Sequence, residues 1–217
     1  MGRIYDATWG RAFSALYDRL TKKTEEAGLR EMRRETLAAA SGRTIDIGGG
    51  TGANLGLYPD AVTELVLAEP DPHMVKRLRP RVSEAGIDAE VVEAPAERLP
   101  FEDASFDTAI YTLVLCTVPD QAAALAETAR ILKPGGKLLF VEHVRADDPG
   151  VARWQDRLHG PWKFFADGCH CNRDTLTGIE AAGFTVESAT DDEMPQAPPL
   201  IRPLIRGSAV AGAAAAQ

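Results

Sequence analysis

Apolar residues near the start of the chain recur at helical spacing. Phe13, Leu16, Tyr17 and Leu20 follow the i, i+3, i+4, i+7 pattern of a helix with one apolar face. A second run with helical periodicity covers residues 29–40 and stops before a Ser-Gly pair. We therefore expect the first forty residues to be helical.

From residue 43 onward, short apolar segments alternate with segments of helical periodicity. The predicted strands cover residues 44–47, 65–68, 90–93, 106–114 and 137–144, and the predicted helices between them cover residues 52–58, 73–84 and 121–132. Residues 106–114 are almost all apolar or β-branched, as expected of a central strand that is buried on both faces. Alternation of strands and helices indicates a parallel, doubly wound sheet.

The alternation changes after residue 145. A helix is expected over residues 151–165, kinked at Pro161, with Trp154, Trp162, Phe164 and Phe165 packed in the core. A further helix is expected over residues 172–182, followed by strands over residues 184–189 and 200–209. No repeat or linker divides the sequence, so we expect one α/β domain.

Composition excludes several classes of partner. The 217 residues carry a formal net charge of −8, and basic residues are scattered, so we expect no nucleic-acid partner. The 3 cysteines are too few for a disulfide framework, which favours a reducing compartment and a cytoplasmic location. No apolar stretch approaches the roughly 20 residues that span a bilayer, so we expect no integral membrane segment.

A glycine-rich turn follows the first predicted strand. Gly48, Gly50 and Gly52 are spaced so that the backbone can approach a ligand closely, and free N–H groups of a following helix would face that ligand. Glu69 ends the second predicted strand roughly twenty residues later, where a carboxylate can accept ribose hydroxyls. The turn also satisfies the dinucleotide fingerprint, with Ala53 as its last position. An NAD-dependent oxidoreductase therefore stays an alternative on this evidence.

Three later segments resemble class I S-adenosylmethionine (SAM)-dependent methyltransferases. They are Glu-Arg-Leu-Pro-Phe at 97–101, Ser-Phe-Asp at 105–107 and Leu-Lys-Pro-Gly-Gly-Lys-Leu at 132–138. The resemblance implies a Rossmann-like, doubly wound sheet of seven strands, mostly parallel with an antiparallel C-terminal strand pair, and helices on both faces. It also implies SAM as cofactor and S-adenosylhomocysteine as product.

The resemblance narrows to small methyltransferases grouped with the animal thiol S-methyltransferases and their bacterial relatives. Phosphatidylethanolamine N-methyltransferases and ubiquinone/menaquinone C-methyltransferases look similar over the glycine-rich region. Segments 112–118, 142–144, 168–175 and 203–209 favour the thiol-methylating branch. The animal enzymes start with a membrane-anchoring hydrophobic helix that this sequence lacks, so we expect no such anchor; peripheral membrane contact stays open.

The resemblance assigns roles along the whole domain, residues 1–217. Residues 1–42 would form a helical lid, 43–145 the SAM-binding half and 146–217 the substrate-side half. The residues expected to bind the cofactor are Asp46, Gly48, Gly49, Gly50, Thr51, Gly52, Asn54, Glu69, Pro70, Met74, Ala96, Glu97, Thr112 and Leu113. Many relatives have an acid at the position of Pro95 that contacts adenine, so here we expect the backbone near Ala96, with Glu97 close by, to contact it.

The acceptor site is expected at the carboxyl ends of the later strands. His143, at the end of the fifth predicted strand, is the candidate general base, since histidine titrates near neutral pH. His170 is the rival candidate, and a structural His143 bonded to backbone is the alternative to both. Tyr17, Trp162 and His170 are expected near the acceptor. We expect no metal, because the Cys169-His170-Cys171 spacing does not match usual zinc sites.

The predicted activity is therefore methyl transfer from SAM to a small-molecule acceptor, with a thiol favoured. N-methylation of phosphatidylethanolamine is the nearest alternative and would need a membrane-binding surface. A SAM-binding protein without catalysis is the alternative from a different class. The sequence does not determine the oligomeric state.

Overall fold

A computed structural model describes residues 18–19, 21–166 and 168–212. Its seven strands form one sheet in the order β3-β2-β1-β4-β5-β7-β6. The strands are β1 Gly42–Ile47, β2 Val62–Ala68, β3 Ala89–Val92, β4 Phe106–Thr112, β5 Leu132–His143, β6 Phe184–Glu193 and β7 Pro203–Ala211. All pairs from β3 to β5 are parallel, whereas β7 runs antiparallel to both β5 and β6. The predicted mixed sheet with an antiparallel C-terminal pair is confirmed.

One helix precedes β1, and the others connect β2 to β3, β4 to β5 and β5 to β6. The helices are α1 Arg30–Leu37, α2 Pro72–Glu84, α3 Gln121–Ile131, α4 Pro149–Phe165 and α5 Thr175–Ala181, with a π-helical turn Glu25–Leu29 before α1 and a 3-10 turn Pro199–Ile201 before β7. Helices α2 to α5 each begin after an aspartate whose carboxylate accepts a backbone N–H of the first turn; these residues are Asp71, Asp120, Asp148 and Asp174. Such caps fix where each helix starts.

Both faces of the central strands are covered by helices. Along β4, Ala109 and Tyr111 join the apolar cluster that contains Leu125 of α3. Ile110, between them, joins the cluster that contains Leu37 of α1 on the opposite face. Because side chains of a strand alternate between faces, this arrangement buries β4 completely. The carboxyl ends of the parallel strands then share one edge, where β4 separates β1 from β5.

The segment predicted as a helix over residues 52–58 is instead a series of turns. Gly52 and Gly56 have φ values of +92° and +75°, which an α-helix does not allow. The guanidinium of Arg30 donates to the carbonyl oxygens of Ala53 and Leu55 at 3.3 and 3.5 Å. These carbonyls are therefore bonded to a side chain rather than to a following helical turn.

Strand β4 is shorter and β5 longer than predicted. β4 ends at Thr112, because Leu113 has a φ of +63°, which turns the chain out of the strand. β5 begins at Leu132, where Phe106 pairs with it, five residues before its predicted start. The predicted third helix accordingly ends at Ile131 rather than at residue 132.

Three of the four aromatic side chains that we predicted in the core of α4 are exposed, whereas Trp162 is half-buried against the buried cysteines. Trp154 is 57% exposed, Phe164 53% and Phe165 61%. Ala152 and Gln155 are the residues of α4 that are buried, and the Gln155 amide donates to the carbonyl oxygens of Val144 and Cys171. Polar contacts therefore anchor a helix that we had expected to pack through its aromatic face, and α4 continues through Pro161 without ending.

Two further expectations concern the N-terminal segment and the membrane. The predicted N-terminal stripe, including Tyr17, lies outside the described residues, so the helical lid stays a prediction. Among the described residues, no helix has both the length and the apolar character needed to cross a bilayer.

Candidate functional site

The three glycines of the predicted turn follow β1 and differ in what surrounds them. Each has a positive φ: +74° at Gly48, +55° at Gly50 and +92° at Gly52. A Cβ at Gly48 would lie 2.4 Å from Val114 Cγ2, and one at Gly52 would lie 2.6 Å from Leu55 Cδ1. At Gly50 the nearest atom would be 3.9 Å away. Gly48 and Gly52 are therefore required for packing, whereas Gly50 leaves space for a ligand beside the backbone.

Glu69, at the end of β2, reaches across to this glycine loop. Its Oε2 accepts the Gly50 N–H at 2.8 Å and its Oε1 accepts the Asp71 N–H at 2.9 Å. The side chain is 7% exposed, so these bonds hold it in one position. A carboxylate has about four acceptor sites. Glu69 can therefore accept hydroxyl groups of a ligand while keeping its bonds to the backbone.

Asp46 is buried beneath the loop with one oxygen unpaired. Its Oδ2 accepts hydrogen bonds from Asn54 Nδ2 at 2.7 Å and the Tyr58 hydroxyl at 2.6 Å. Its Oδ1 is buried and has no hydrogen-bond partner among the described residues. Burial raises the pKa of Asp46, although the two hydrogen bonds and the charge of Arg33 act to lower it. A donor or cation from a ligand would satisfy the free oxygen.

Several predicted cofactor residues bond to the protein itself. The Asn54 amide donates to Asp46 and to Thr112 Oγ1, and its carbonyl oxygen accepts from buried Arg33 at 3.1 Å. Thr51 Oγ1 donates to Asp18 at 2.6 Å. The side chains of Asn54, Thr112 and Thr51 therefore shape the loop from below. Their direct contact with a cofactor stays a prediction.

The remaining predicted cofactor residues lie along the same edge of the sheet. Met74 is buried in the first turn of α2, exposed Pro70 lies just before that helix, and Ala96 is buried in the turn after β3. Glu97 is half-buried, and its Oε1 accepts the Asp120 N–H at 3.2 Å. The edge therefore continues from the glycine loop toward α3, but no described contact tests the adenine prediction for Ala96 and Glu97.

A turn stabilised by Glu142 follows β4, and the sequence reasoning missed it. Glu142 is fully buried in β5, and its oxygens accept the N–H groups of Val114 at 2.8 Å and Cys116 at 3.0 Å. Burial raises the pKa of Glu142, although the hydrogen bonds from the backbone act to lower it. Leu113, with its positive φ, lies within this turn. Strained backbone at a strand end is typical of functional sites, but no local sequence pattern predicts it.

Cys116, His143 and Cys169 meet in the interior beside this turn. Cys116 Sγ lies 3.7 Å and Cys169 Sγ 3.8 Å from Nδ1 of His143. The exposed fractions of Cys116, His143 and Cys169 are 1%, 8% and 5%. The neighbouring Cys116 thiol and then His143 lower the pKa of Cys169, although burial opposes them; the adjacent Cys169 and burial raise the pKa of Cys116.

His143 has the predicted position but unexpected neighbours. Its Nδ1 faces the two cysteine sulfurs, and its Nε2 lies 3.3 Å from Met194 Sδ. Both ring nitrogens are thus directed at sulfur atoms of the protein. A general-base role for His143 stays a prediction, and it requires an acceptor to take the place of one of these sulfurs.

The other predicted acceptor residues are divided between two places. Trp162 packs against the cysteines, and its indole N–H contributes to the low pKa of Cys169 without making a full hydrogen bond. His170 Nδ1 instead faces His159 Nε2 at 2.8 Å. Burial, and then the charges of Arg173 and Lys163, lower the pKa of His170 to about 4. His170 is therefore a weaker base than the sequence suggested.

A cavity of about 830 Å³ opens at the carboxyl end of β5, lined in part by Val144, Arg173 and Leu204. The glycine loop follows β1, and β4 separates β1 from β5. The cavity is therefore separated from the glycine loop by β4 and does not test the predicted cofactor residues.

Known proteins are similar to this chain in sequence and in fold. A family model described as a methyltransferase domain matches residues 45–140. Thiol S-methyltransferase TMT1A of Homo sapiens is 33% identical over 182 residues, which cover 81% of this chain and 74% of that protein. A phosphatidylethanolamine N-methyltransferase of Cereibacter sphaeroides is 33% identical over 151 residues, covering 66% of this chain and 71% of the relative.

Among solved structures, a SAM-dependent methyltransferase of Thermotoga maritima matches with a TM-score of 0.66. The identity is 24%, and the match covers 97% of this chain and 100% of that one. At this identity the likeness shows the fold alone.

Proposed function

Because the chain belongs to the class I SAM-dependent methyltransferases, we propose that it transfers the methyl group of SAM to a thiol of a small molecule. The observation that carries the thiol is the 33% identity to a thiol S-methyltransferase over 81% of this chain. That similarity extends beyond the cofactor half into the half where the acceptor is expected.

The residues around the glycine loop fit SAM. The open space at Gly50 admits a ligand beside the backbone, and Glu69 has acceptor sites for ribose hydroxyls. The unpaired Oδ1 of Asp46 would accept from the ammonium of the methionine part. Ala96 and Glu97 are proposed to contact the adenine. The space at Gly50 and the unpaired Oδ1 of Asp46 are the observations that support this assignment.

Methyl transfer requires the protein to align the acceptor and to exclude water. SAM supplies a methyl group on a positively charged sulfur, which is a good leaving group. A thiol acceptor has to lose its proton, since the thiolate is the nucleophile. We place the acceptor at the carboxyl ends of β4 and β5, near Leu113 and His143, because ligands of open α/β sheets bind at that edge.

Purified protein mixed with methyl-labelled SAM and a panel of acceptors tests the proposal. The panel contains small thiols, phosphatidylethanolamine vesicles and quinol precursors. We expect label on thiols, and loss of the transfer in a Glu69→Ala variant. Label on another acceptor class alone would contradict the thiol assignment, and SAM binding without transfer to any acceptor would favour a binding protein.

The general base is tested separately with the thiol that proves to be the acceptor. A His143→Ala variant that keeps the full rate would exclude a base role for this residue. If His143 takes the proton, the rate of the variant should instead recover at high pH, where the acceptor is a thiolate without assistance.

Phosphatidylethanolamine N-methylation is the second candidate, and one surface favours it. Trp154, Phe164 and Phe165 of α4 are exposed, and Arg157 lies over the Trp154 ring at 5.8 Å. Exposed aromatic and basic side chains on one helix are typical of peripheral membrane contact. A Trp154→Ala variant should bind vesicles less and methylate the lipid more slowly, while an Arg43→Ala variant, on a distant strand, should not. Equal vesicle binding by both variants would remove this support.

We also propose a cytoplasmic location. Cys116, Cys169 and Cys171 are all free and buried, which is compatible with a reducing compartment. Fractionation of cells that produce the protein would test this, and recovery with membranes would favour the lipid-facing alternative.

A further inference from the structure

The cluster of Cys116, His143 and Cys169 combines three residues that are far apart in sequence. Cys116 follows β4, His143 ends β5, and Cys169 follows α4. Their Sγ, Nδ1 and Sγ atoms all lie within 4.8 Å of one another. The short spacing of Cys169-His170-Cys171, from which we expected no metal, does not apply to this cluster, because only Cys169 of that segment belongs to it.

The separations match the edges of a tetrahedral metal site. Zinc–sulfur and zinc–nitrogen bonds of about 2.3 and 2.0 Å at the tetrahedral angle place sulfur and nitrogen about 3.5 Å apart. The two sulfur–Nδ1 distances here are 3.7 and 3.8 Å. Both sulfur–nitrogen distances are therefore within a few tenths of an ångström of those in a zinc site.

The imidazole of His143 is oriented for coordination. A methionine thioether can only accept a hydrogen bond. The contact of 3.3 Å between Nε2 and Met194 Sδ accommodates the tautomer with its proton on Nε2. An imidazole that binds an ion in this tautomer presents the lone pair of Nδ1 toward the two cysteines. Outer contacts that fix the tautomer of a histidine are usual in metal sites.

Backbone contacts join the two loops that carry the cysteine ligands. The His170 N–H donates to the Cys116 carbonyl oxygen at 2.6 Å. Because His170 is the residue directly after Cys169, this bond ties the Cys169 loop to the Cys116 loop. The two sulfur ligands are therefore held close to each other by the main chain.

Side chains of Arg173 and Glu142 hold the Cys116 loop from two sides. The Arg173 guanidinium donates to the carbonyl oxygens of Leu115 at 2.5 Å and Val118 at 2.8 Å. The Glu142 carboxylate accepts the Cys116 N–H at 3.0 Å. Together these bonds fix the position of Cys116 before any ligand binds.

The surroundings also favour an ion that two thiolates neutralise. Trp162, Ala166 and Ile201 pack against the cluster, so its environment is largely apolar. A divalent cation bound to two thiolates and a neutral imidazole has no net charge. Such a group can be buried at much lower cost than a bare ion.

We propose that Cys116, His143 and Cys169 form a zinc-binding site. The described residues supply three ligands, so the fourth position of the tetrahedron is left for water or another small ligand. This inference does not depend on which acceptor is methylated, because it concerns only the ion and the side chains that hold it.

Zinc titration of the full chain tests the proposal. The protein is reduced, stripped of metal with a chelator that is then removed, and titrated with zinc against a chromophoric chelator. We expect one zinc ion per chain, and affinity lower by about 100-fold or more in Cys116→Ser and Cys169→Ser. Cobalt in place of zinc should give the strong charge-transfer absorption of cobalt–thiolate bonds.

Cys171→Ser is the matched control, because Cys171 is fully buried in the same loop but does not belong to the cluster. It should bind zinc as the wild type does. Met194→Leu should weaken binding by about 10-fold, since the ring proton loses its acceptor. Circular dichroism and SAM affinity check that each variant folds.

Three results would overturn the proposal. The wild type could take up no zinc, Cys116→Ser and Cys169→Ser could bind zinc as well as Cys171→Ser does, or cobalt could bind without thiolate absorption. A disulfide between Cys116 and Cys169 that persists in reductant, detected by thiol titration, would lead to the first of these results.

Discussion

The glycine loop and the cluster of Cys116, His143 and Cys169 lie at the same edge of the sheet but are built differently. The loop depends on backbone conformation within one short segment, and one carboxylate from the next strand completes it. The cluster depends on side chains from three separate segments, held together by Glu142 and Arg173. A ligand site made of contiguous backbone can be recognised in a sequence, whereas one assembled by packing is recognised only in the fold.

The largest expected effect is the loss of SAM affinity, with zinc affinity unchanged, when Glu69 is replaced. A Glu69→Ala variant loses the carboxylate that accepts the Gly50 and Asp71 N–H groups and, as proposed, the ribose hydroxyls. SAM affinity, measured by calorimetry, should fall by about 100-fold, or about 3 kcal/mol. Zinc affinity should not change. The control is Glu64→Gln, on the exposed part of β2, which should keep both affinities. Loss of zinc in Glu69→Ala would show that the regions are not independent.

Two glycine variants distinguish a glycine that the packing of the loop requires from one that leaves space for the ligand. Gly52→Ala places a Cβ 2.6 Å from Leu55 Cδ1 at a φ of +92°, and should cost about 2–3 kcal/mol of unfolding free energy. Gly50→Ala meets no close neighbour and should cost about 1 kcal/mol, yet it should weaken SAM binding. Urea unfolding and SAM titration measure both. Unchanged SAM affinity in Gly50→Ala would mean that the ligand does not approach this position.

Replacing Arg173 should affect the cluster of Cys116, His143 and Cys169 more than the glycine loop. Arg173→Met removes the donors to the Leu115 and Val118 carbonyls, which should cost about 2 kcal/mol of unfolding free energy. Zinc affinity should fall with it, and SAM affinity should fall much less. Arg153→Met, an exposed change on α4, is the control. Equal losses of zinc and SAM binding would contradict the division into two regions.

Asp46 gives a prediction for pH. Burial raises the folded-state pKa of Asp46 above its ordinary value of 3.8, so the folded protein binds a proton more tightly than the unfolded chain. The resulting stability is present below pH 3.8 and is lost as the pH rises through the folded-state pKa. The stability of the wild type relative to Asp46→Asn should therefore fall over that window, by at most about 1.4 kcal/mol per pH unit. Urea unfolding from pH 4 upward measures it, and a difference that grows with pH would contradict the burial argument.

The smallest effect concerns Asp18, which joins the segment before α1 to the loop. Its carboxylate bonds to Arg81 at 2.5 Å and Thr51 at 2.6 Å, but Asp18 and Arg81 are 39% and 41% exposed. Asp18→Asn should cost about 0.5 kcal/mol, and less in high salt. Burial acts to raise the pKa of Asp18, but the hydrogen bonds from Arg81 and Thr51 lower it below its ordinary value. The stability that Asp18 contributes should therefore disappear as the pH falls below about 4. No change at low salt would show that this contact does not support the loop.

The sequence predicted most of the fold because strand and helix periods alternate clearly from residue 43 onward. Its errors have local causes. Positive φ values at Gly52 and Gly56 replaced the helix predicted over residues 52–58 with turns, and the positive φ of Leu113 ended β4 before its predicted last residue. The aromatic stripe of α4 was predicted as core because periodicity gives one apolar face but not what covers it.

The candidate site was predicted unevenly for the same reason. The glycine turn and Glu69 lie at motif spacing, so their positions in the sequence indicated a common site. Glu142 looked like one charged residue in a strand, and nothing in its neighbourhood signalled that it binds a turn 26 residues away. The grouping of Cys116, His143 and Cys169 likewise depends on which strands are adjacent, and the sequence does not state this directly.

Glu142 has one more consequence, because a single carboxylate holds the turn shared by the two regions. The N–H groups that it accepts belong to Val114, next to strained Leu113, and to Cys116. If an ion on the sulfur side tightens this turn, SAM affinity has to change by some factor, and SAM has to change ion affinity by the same factor. Because of this reciprocity, the concentration of SAM would regulate how much of the protein binds the ion. Zinc titrations with and without SAM would give the size of the coupling.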